Sequence, residues 1–168
     1  MRPEAPASPA PGVALREATS ADEPFLRALY RGVRAPELAQ TAWGEERRRA
    51  FCDAQFDLQD QWYRSHYDGA RFLVIERDGA PIGRLYLHRS AGELRVIDVA
   101  LVAQARGQGL GTALVRGLQE DARRAGLALT LHVESFNPAR ALYARLGFRD
   151  DAVEGLYVRL RWDPATGG

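Results

Sequence analysis

Arg106-Gly107-Gln108-Gly109-Leu110-Gly111-Thr112 is the stretch that decides the reading of this chain. Upstream of it, Val96 to Val102 is an apolar run with the character of a buried strand. Downstream, Leu110, Ala113, Leu114 and Leu118 recur at helical spacing. A glycine-rich turn from strand to helix aims backbone N–H groups outward at the positive end of the helix dipole, which is a phosphate-binding arrangement. Glycine is needed there because a Cβ would hold a phosphate away from the backbone. Two familiar phosphate loops do not fit. A dinucleotide fingerprint wants a third glycine where Thr112 stands, and a Walker loop needs a lysine, of which the chain has none. The remaining alternative is a glycine connection with no ligand. Against it, alternating glycines weaken such a turn unless something approaches closely.

The elements on either side give an alternating order. Val13 to Glu17 reads as a strand. Ser20-Ala-Asp-Glu23 has the form of a capping box, followed by Phe25, Leu26, Leu29, Tyr30 and Val33 on one helical face. A longer helix is predicted from about Glu45 to His66, with Phe51, Leu58 and Trp62 on its apolar side. Residues 71–77 and 80–88 flank Asp78-Gly79, a hairpin turn signal. A strand from Glu93 to Val102 leads into the glycine loop, and a helix then runs to about Ala125, where Gly126 suits a terminator. Leu127 to Val133 is a further strand. Asn137-Pro138 opens a short helix with asparagine as cap and proline at its first position, Gly147 ends it, and two strands follow. The expected fold class is α/β (α+β mixed): a central mixed, mostly antiparallel sheet of about seven strands flanked by four helices.

Two segments resemble one family, the GNAT superfamily of acyl-CoA-dependent N-acyltransferases. The loop resembles that family's Q/R-x-x-G-x-G/A pyrophosphate motif in two registers, Gln104 to Gly109 and Arg106 to Gly111. Asn137-Pro-Ala-Arg-Ala-Leu-Tyr143-Ala-Arg-Leu-Gly147-Phe148 is similar to the family's asparagine-to-tyrosine segment with its Leu-Gly-Phe ending. The two lie 26 positions apart, from Gly111 to Asn137, in the family's order, and the element order agrees from Val13 to Trp162. The resemblance implies a single N-acetyltransferase domain over residues 12–163; the Pro/Ala-rich composition of 1–11 and the Pro-Ala-Thr-Gly-Gly end at 164–168 read as disordered tails. The resemblance also implies acetyl-CoA as co-substrate, with no metal. The backbone of Gly107, Gln108, Gly109, Leu110, Gly111 and Thr112 would hold the pyrophosphate, with Arg106 adding charge. Val99, Ala100 and Leu101 would pair with the pantetheine arm, and Asn137 would contact it.

The same resemblance makes Tyr143 the general acid. A phenol of pKa about 10 can protonate a thiolate of pKa about 8.5. The base is left open. His132 stands five residues before the asparagine, where the ribosomal-protein alanine acetyltransferases carry a glutamate. A neutral imidazole near pH 7 can take a proton, and so can be a base, or it can be a strand histidine satisfied by its neighbours. Other members carry an acid where this chain has Arg95. Asp98, inside an apolar run, marks either function or an internal ion pair. Glu134 is a third candidate. Asp53, Asp57 and Asp60 share a helical face and could attract a cationic amine, though such a line is commonly just solvated. Trp43, Trp62, Tyr63 and Tyr67 are candidates for an acceptor wall, though aromatics at such spacing are commonly core, and Gly155 and Tyr157 lie where the family's last hairpin borders the site.

Composition bounds the rest. At 168 residues and net charge +1, the chain suits one domain with no strong field for nucleic acid or an anionic membrane. All basic residues are arginine, as compositional bias would give. The single cysteine, Cys52, suits a buried small hydrophobe. No apolar run reaches membrane-span length, and the proline-rich start lacks a signal-peptide core, so cytoplasmic residence is the expectation. The expected reaction is direct attack of a primary amine, on a small molecule or a peptide, in a ternary complex with acetyl-CoA. The alternative is a non-catalytic acyl-CoA-binding or sensing module on the same scaffold. Superfamily members are often dimers, which makes a homodimer the assembly to test.

Overall fold

The computed structural model describes Pro6 and residues 8–165. Of the tails expected at 1–11 and 164–168, residues 1–5, 7 and 166–168 lie outside the described residues. The chain runs β1 (Val13–Glu17), α1 (Glu23–Leu38), α2 (Glu45–His66), β2 (Arg71–Arg77), β3 (Ala80–Arg89), β4 (Glu93–Leu101), α3 (Leu110–Ala125), β5 (Ala128–Glu134), α4 (Ala139–Arg145), β6 (Arg149–Glu154) and β7 (Tyr157–Trp162). The seven strands form one sheet in the order β1-β2-β3-β4-β5-β7-β6. Every neighbouring pair is antiparallel except β4 and β5. That parallel pair needs a crossover, and α3 supplies it. The expected mixed sheet with four helices is therefore the architecture observed.

The larger core lies between the sheet and α3. Leu73 and Ile75 of β2, Leu85 and Leu87 of β3, Leu129, Leu131 and Val133 of β5, and Val158, Leu160 and Trp162 of β7 all alternate onto that face. They meet Leu110, Leu114, Val115, Leu118 and Ala122 of α3. A second cluster joins α1 to α2 through Leu26, Tyr30, Leu38, Cys52 and Phe56. Between β2 and β3, Asp78 and Gly79 both take positive φ (52° and 81°), as a two-residue type I′ turn requires.

Three local readings are corrected. The capping interaction falls one residue early: Asp22 Oδ2 accepts from the Thr19 N–H at 2.7 Å, and Arg16 grips the same carboxylate at 2.7 and 2.8 Å. A short 3₁₀ turn, Ser20–Asp22, therefore precedes α1. Val33 is exposed, because α1 turns Leu26, Leu29 and Tyr30 inward. On α2 the buried side is Cys52 and Phe56, while Leu58 and Trp62 face outward. Trp62 instead stacks on His66, with ring centroids 4.1 Å apart.

Gly83 of β3 has a packing reason. A Cβ there would overlap the Ala100 carbonyl and crowd Leu101 and Ile75. Gly83→Ala is expected to cost about 1–3 kcal/mol, as overpacked cores do. A lower urea midpoint at unchanged slope would report it.

Candidate active site

β4 is where the fold makes its opening. Tyr86 pairs with Asp98 but Leu87 pairs with Val96, so Ile97 is an extra, bulged residue. The bulge shifts the alternation. Leu94 and Val96 before it, and Val99 and Leu101 after it, all pack toward the α3 core. Pairing between β4 and β5 ends at Val96–Leu131, while β5 continues along β7 to Glu134–Tyr157. Beyond that point the facing edges of β4 and β5 are unpaired.

Backbone alternation says which groups face the gap. The Val102 N–H donates to the Ile82 carbonyl at 2.8 Å, so residues 102, 100 and 98 turn their amides toward β3. Val99 and Leu101 then turn theirs toward the gap. The Leu101 carbonyl accepts from Arg106 Nε at 3.1 Å, in keeping with that direction. Of the three residues expected along the pantetheine, Val99 and Leu101 offer backbone groups and Ala100 does not.

The glycine loop follows directly. After a 3₁₀ turn, Ala103–Ala105, Gly107 and Gly109 take positive φ (72° and 79°), and Gly109 is the residue before α3. The N–H groups of residues 107–112 have no acceptor among the described residues; the first helical bond is Ala113 N–H to the Gly109 carbonyl. No atom lies within 4 Å of a Cβ built at Gly107, Gly109 or Gly111. The glycines are therefore not forced by packing, and the space beside their amides is open. Gln108 is held in place: it accepts from Arg77 at 2.6 Å and donates to the Gln104 carbonyl at 2.8 Å. Arg77, at the end of β2, is a cation beside this loop that sequence reasoning missed.

A cavity of about 190 Å³ fills the gap between β4 and β5. Asp98, Val99, His132, Asn137 and Tyr143 all line it, with Glu134 and Tyr157. The structure thus gathers the expected acid, all three candidate bases and the asparagine at one place. The Asn137 Oδ1 accepts from the Ala139 N–H at 2.9 Å, which caps α4; its Nδ2 has no partner among the described residues and remains a donor. Pro138 lies before the first residue of α4 rather than in it, one residue off the expected start.

Tyr143 is buried against Phe148, edge to face at 5.5 Å, and its hydroxyl has no partner among the described residues. Burial pushes its phenol above the ordinary value, and the Asp98 charge adds to this. The proton is held firmly at any working pH.

Two of the candidate bases, His132 and Asp98, have neighbours that the sequence did not announce. Arg95 Nη1 donates to His132 Nδ1 at 2.5 Å, and His132 Nε2 lies 2.9 Å from Glu154 Oε2. Arg95 has only donors, so it meets a lone pair on Nδ1, and the imidazole proton sits on Nε2 toward Glu154. Asp98 accepts from Arg84, which is 4% exposed and also donates to Gln59 at 2.9 Å. Arginines inside apolar strands were the available signal for both contacts.

The remaining candidates lie elsewhere. Asp53 pairs with Arg27 and Arg31, Asp57 with Arg27, and Asp60 with Arg64. Those carboxylates tie α2 to α1 and to itself rather than line the cavity. Trp43 packs on Phe51, and Tyr63 and Tyr67 pack toward Tyr86 and His88. Among the described residues there is no group of three or more His, Cys, Asp or Glu placed to hold a metal, and no helix long and apolar enough to cross a membrane.

Comparison with known proteins bears on this geometry. The chain is 31% identical over 135 residues to the mycothiol acetyltransferase of Streptomyces griseus, covering 73% of this chain and 43% of that one. It is 32% identical over 93 residues to a putative ribosomal protein bS18-alanine N-acetyltransferase of Bacillus subtilis, covering 52% of this chain and 60% of that one. The chain thus spans less than half the length of that mycothiol relative. Among solved structures, the PaiA N-acetyltransferase of Thermoplasma acidophilum in complex with coenzyme A superposes with a TM-score of 0.68. It is 18% identical, covering 90% of this chain and 98% of that one, and shares the fold. The acetyltransferase (GNAT) family matches residues 35–148, a span that holds the parted strands, the glycine loop and Tyr143. By that match, the chain belongs to the acetyltransferase (GNAT) family.

Proposed function

We propose that this protein transfers an acetyl group from acetyl-CoA to a primary amine by direct attack in a ternary complex. The observation that carries the reading is the run of six unpartnered N–H groups, 107–112, leading by the free β4 edge into the cavity that holds Tyr143. The residues present fit the co-substrate. The loop amides suit a diphosphate, Val99 and Leu101 suit an amide-bearing arm, and Asn137, which lines the cavity, keeps its Nδ2 as an unused donor. Acetyl-CoA supplies an activated thioester, and the chain supplies the proton chemistry around it.

Three tasks fall to the protein. The Val99 N–H, turned into the gap, is the donor for charge growing on the carbonyl oxygen; such a donor is typically worth about 3–4 kcal/mol. Tyr143 delivers a proton to the departing sulfur. His132 takes one from the amine. Its Nε2–H is fixed by Glu154, which leaves the lone pair on Nδ1, and Arg95 must yield that lone pair to the acceptor. Asp98 is assigned to holding Arg84. The engagement of both His132 nitrogens and of Asp98 also favours a second reading, an acyl-CoA sensor without turnover.

The test is release of CoA thiol across a panel of amines, with calorimetry of acetyl-CoA binding. Turnover supports the transferase; binding with no turnover on any amine gives the sensor. Tyr143→Phe is expected to lower kcat by about 10²-fold at little change in cofactor affinity. The pH profile follows from the raised phenol. Below its folded pKa the group keeps its proton, so kcat should show no Tyr143 limb until the pH exceeds about 10.

A further inference from the structure

We infer that the acceptor is a singly charged primary amine on an apolar body, its ammonium bound by Glu134 and its body by Phe136, Leu156 and Tyr157. This rests on the acetyl-transfer reading and names its substrate class.

The charge inventory around the cavity singles out Glu134. Two carboxylates line the cavity, Asp98 and Glu134, and Asp98 is taken by Arg84; outside the lining, Glu154 accepts from the His132 Nε2–H. Glu93 is held by Arg159 at 2.9 Å and by Thr130 at 2.8 Å, and Asp151 by Arg159 at 3.2 Å. Glu134 lines the cavity, and its carboxylate has no hydrogen bond or ion pair among the described residues. It lies two residues from His132 on the same face of β5, about 7 Å along the strand. An ammonium at Glu134 therefore lies on the same face of β5 as the group assigned to take its proton. Within the cavity lining, one free carboxylate matches one positive charge. On α2, Asp53, Asp57 and Asp60 are spent on arginines.

The apolar part follows from the loops beside Glu134. The Ser135 N–H donates to the Leu156 carbonyl at 2.8 Å, and Glu134 pairs with Tyr157, so the β5–α4 loop meets the β6–β7 turn there. Phe136 and Leu156, in these loops, are 72% and 70% exposed, and Tyr157 both lines the cavity and is half exposed. Large side chains this open, on loops that meet beside the cavity residues Glu134 and Tyr157, mark a surface that another molecule covers. Here the charge complementarity at Glu134 favours the acceptor as that molecule.

The probes are 2-phenylethylamine, ethylamine and spermidine, offered to the CoA-loaded protein. Calorimetry reads amine binding and thiol release reads turnover. Phenylethylamine should bind at least 10-fold tighter than ethylamine. Glu134→Gln should weaken it at least 10-fold with CoA affinity unchanged, and Phe136→Ser with Leu156→Ser should erase the preference over ethylamine. Spermidine as the best ligand, or unchanged binding in Glu134→Gln, overturns the inference. So does loss of a dimer in the serine variants with amine discrimination intact, which would assign the rim to a second copy of the chain. If phenylethylamine binds through Glu134 but no amine turns over, the site stands and the transferase reading fails.

Discussion

Gly109→Val is expected to abolish CoA binding, raising Kd by at least about 10²-fold, the scale on which preorganised phosphate donors are lost. The glycine before α3 has φ near +79° and open space where its Cβ would stand. Two effects meet there. A branched side chain would occupy the space beside the free amides of residues 107–112, where the diphosphate is to lie. It would also pay roughly 1–2 kcal/mol for a left-handed backbone, which is a fraction of a domain's usual stability. A neighbour separates the two. Gly111 lies inside α3 with no positive φ and no packing restriction. Gly111→Ala should therefore raise stability by about 0.5–1 kcal/mol, since alanine is the better helix residue. If the loop cradles phosphate, the same methyl weakens CoA binding. A variant that melts later yet binds worse has no explanation in folding alone. Normal CoA affinity in Gly109→Val would take the loop out of the site.

What the sequence made legible was local. The glycine loop could be read because positive φ, a helix start and free amides are properties of a few consecutive residues. The Asn137 cap could be read for the same reason. The hairpin at Asp78-Gly79 needed only two residues. What stayed illegible depended on register. Arg95 meets His132 because β4 and β5 run parallel with Arg95 opposite Thr130, a partnership 37 residues apart in the chain. Arg84 and Asp98 sit diagonally across β3 and β4, since Arg84 pairs with Ala100 and Tyr86 with Asp98. The run around Asp98 said that a partner was required but not which one. The face of α2 was misjudged because Phe51, Phe56, Leu58 and Trp62 support two helical stripes, and only packing against Tyr30 and Leu26 chooses between them. The gap itself came from a bulge at Ile97, which alternation of apolar residues does not announce.

Asp98→Ala is expected to cost about 3–5 kcal/mol of stability, the range for breaking a buried ion pair from one side. The size of the loss comes from Arg84. Arg84 is 4% exposed, its Nε already lacks a partner, and without Asp98 the Gln59 carbonyl oxygen is its remaining side-chain acceptor. A buried arginine cannot shed its charge as a lysine would. The pair itself need not be stabilising, because apolar replacements of both members are often neutral. Arg84→Met combined with Asp98→Leu should therefore recover most of the loss, read by denaturant midpoint against each single variant. The same double variant decides what Asp98 does for chemistry. It removes the carboxylate while keeping the strand packed. If kcat stays within a few-fold of wild type, Asp98 serves to neutralise Arg84 under the cavity floor, and His132 keeps the proton transfer. If stability returns but kcat falls by about 10²-fold or more, the size expected for a lost general base, the proton passes to Asp98 and His132 is a positioning residue. A cost below about 1 kcal/mol in Asp98→Ala would show that Arg84 reaches water, and the buried pair would no longer account for a charge inside β4.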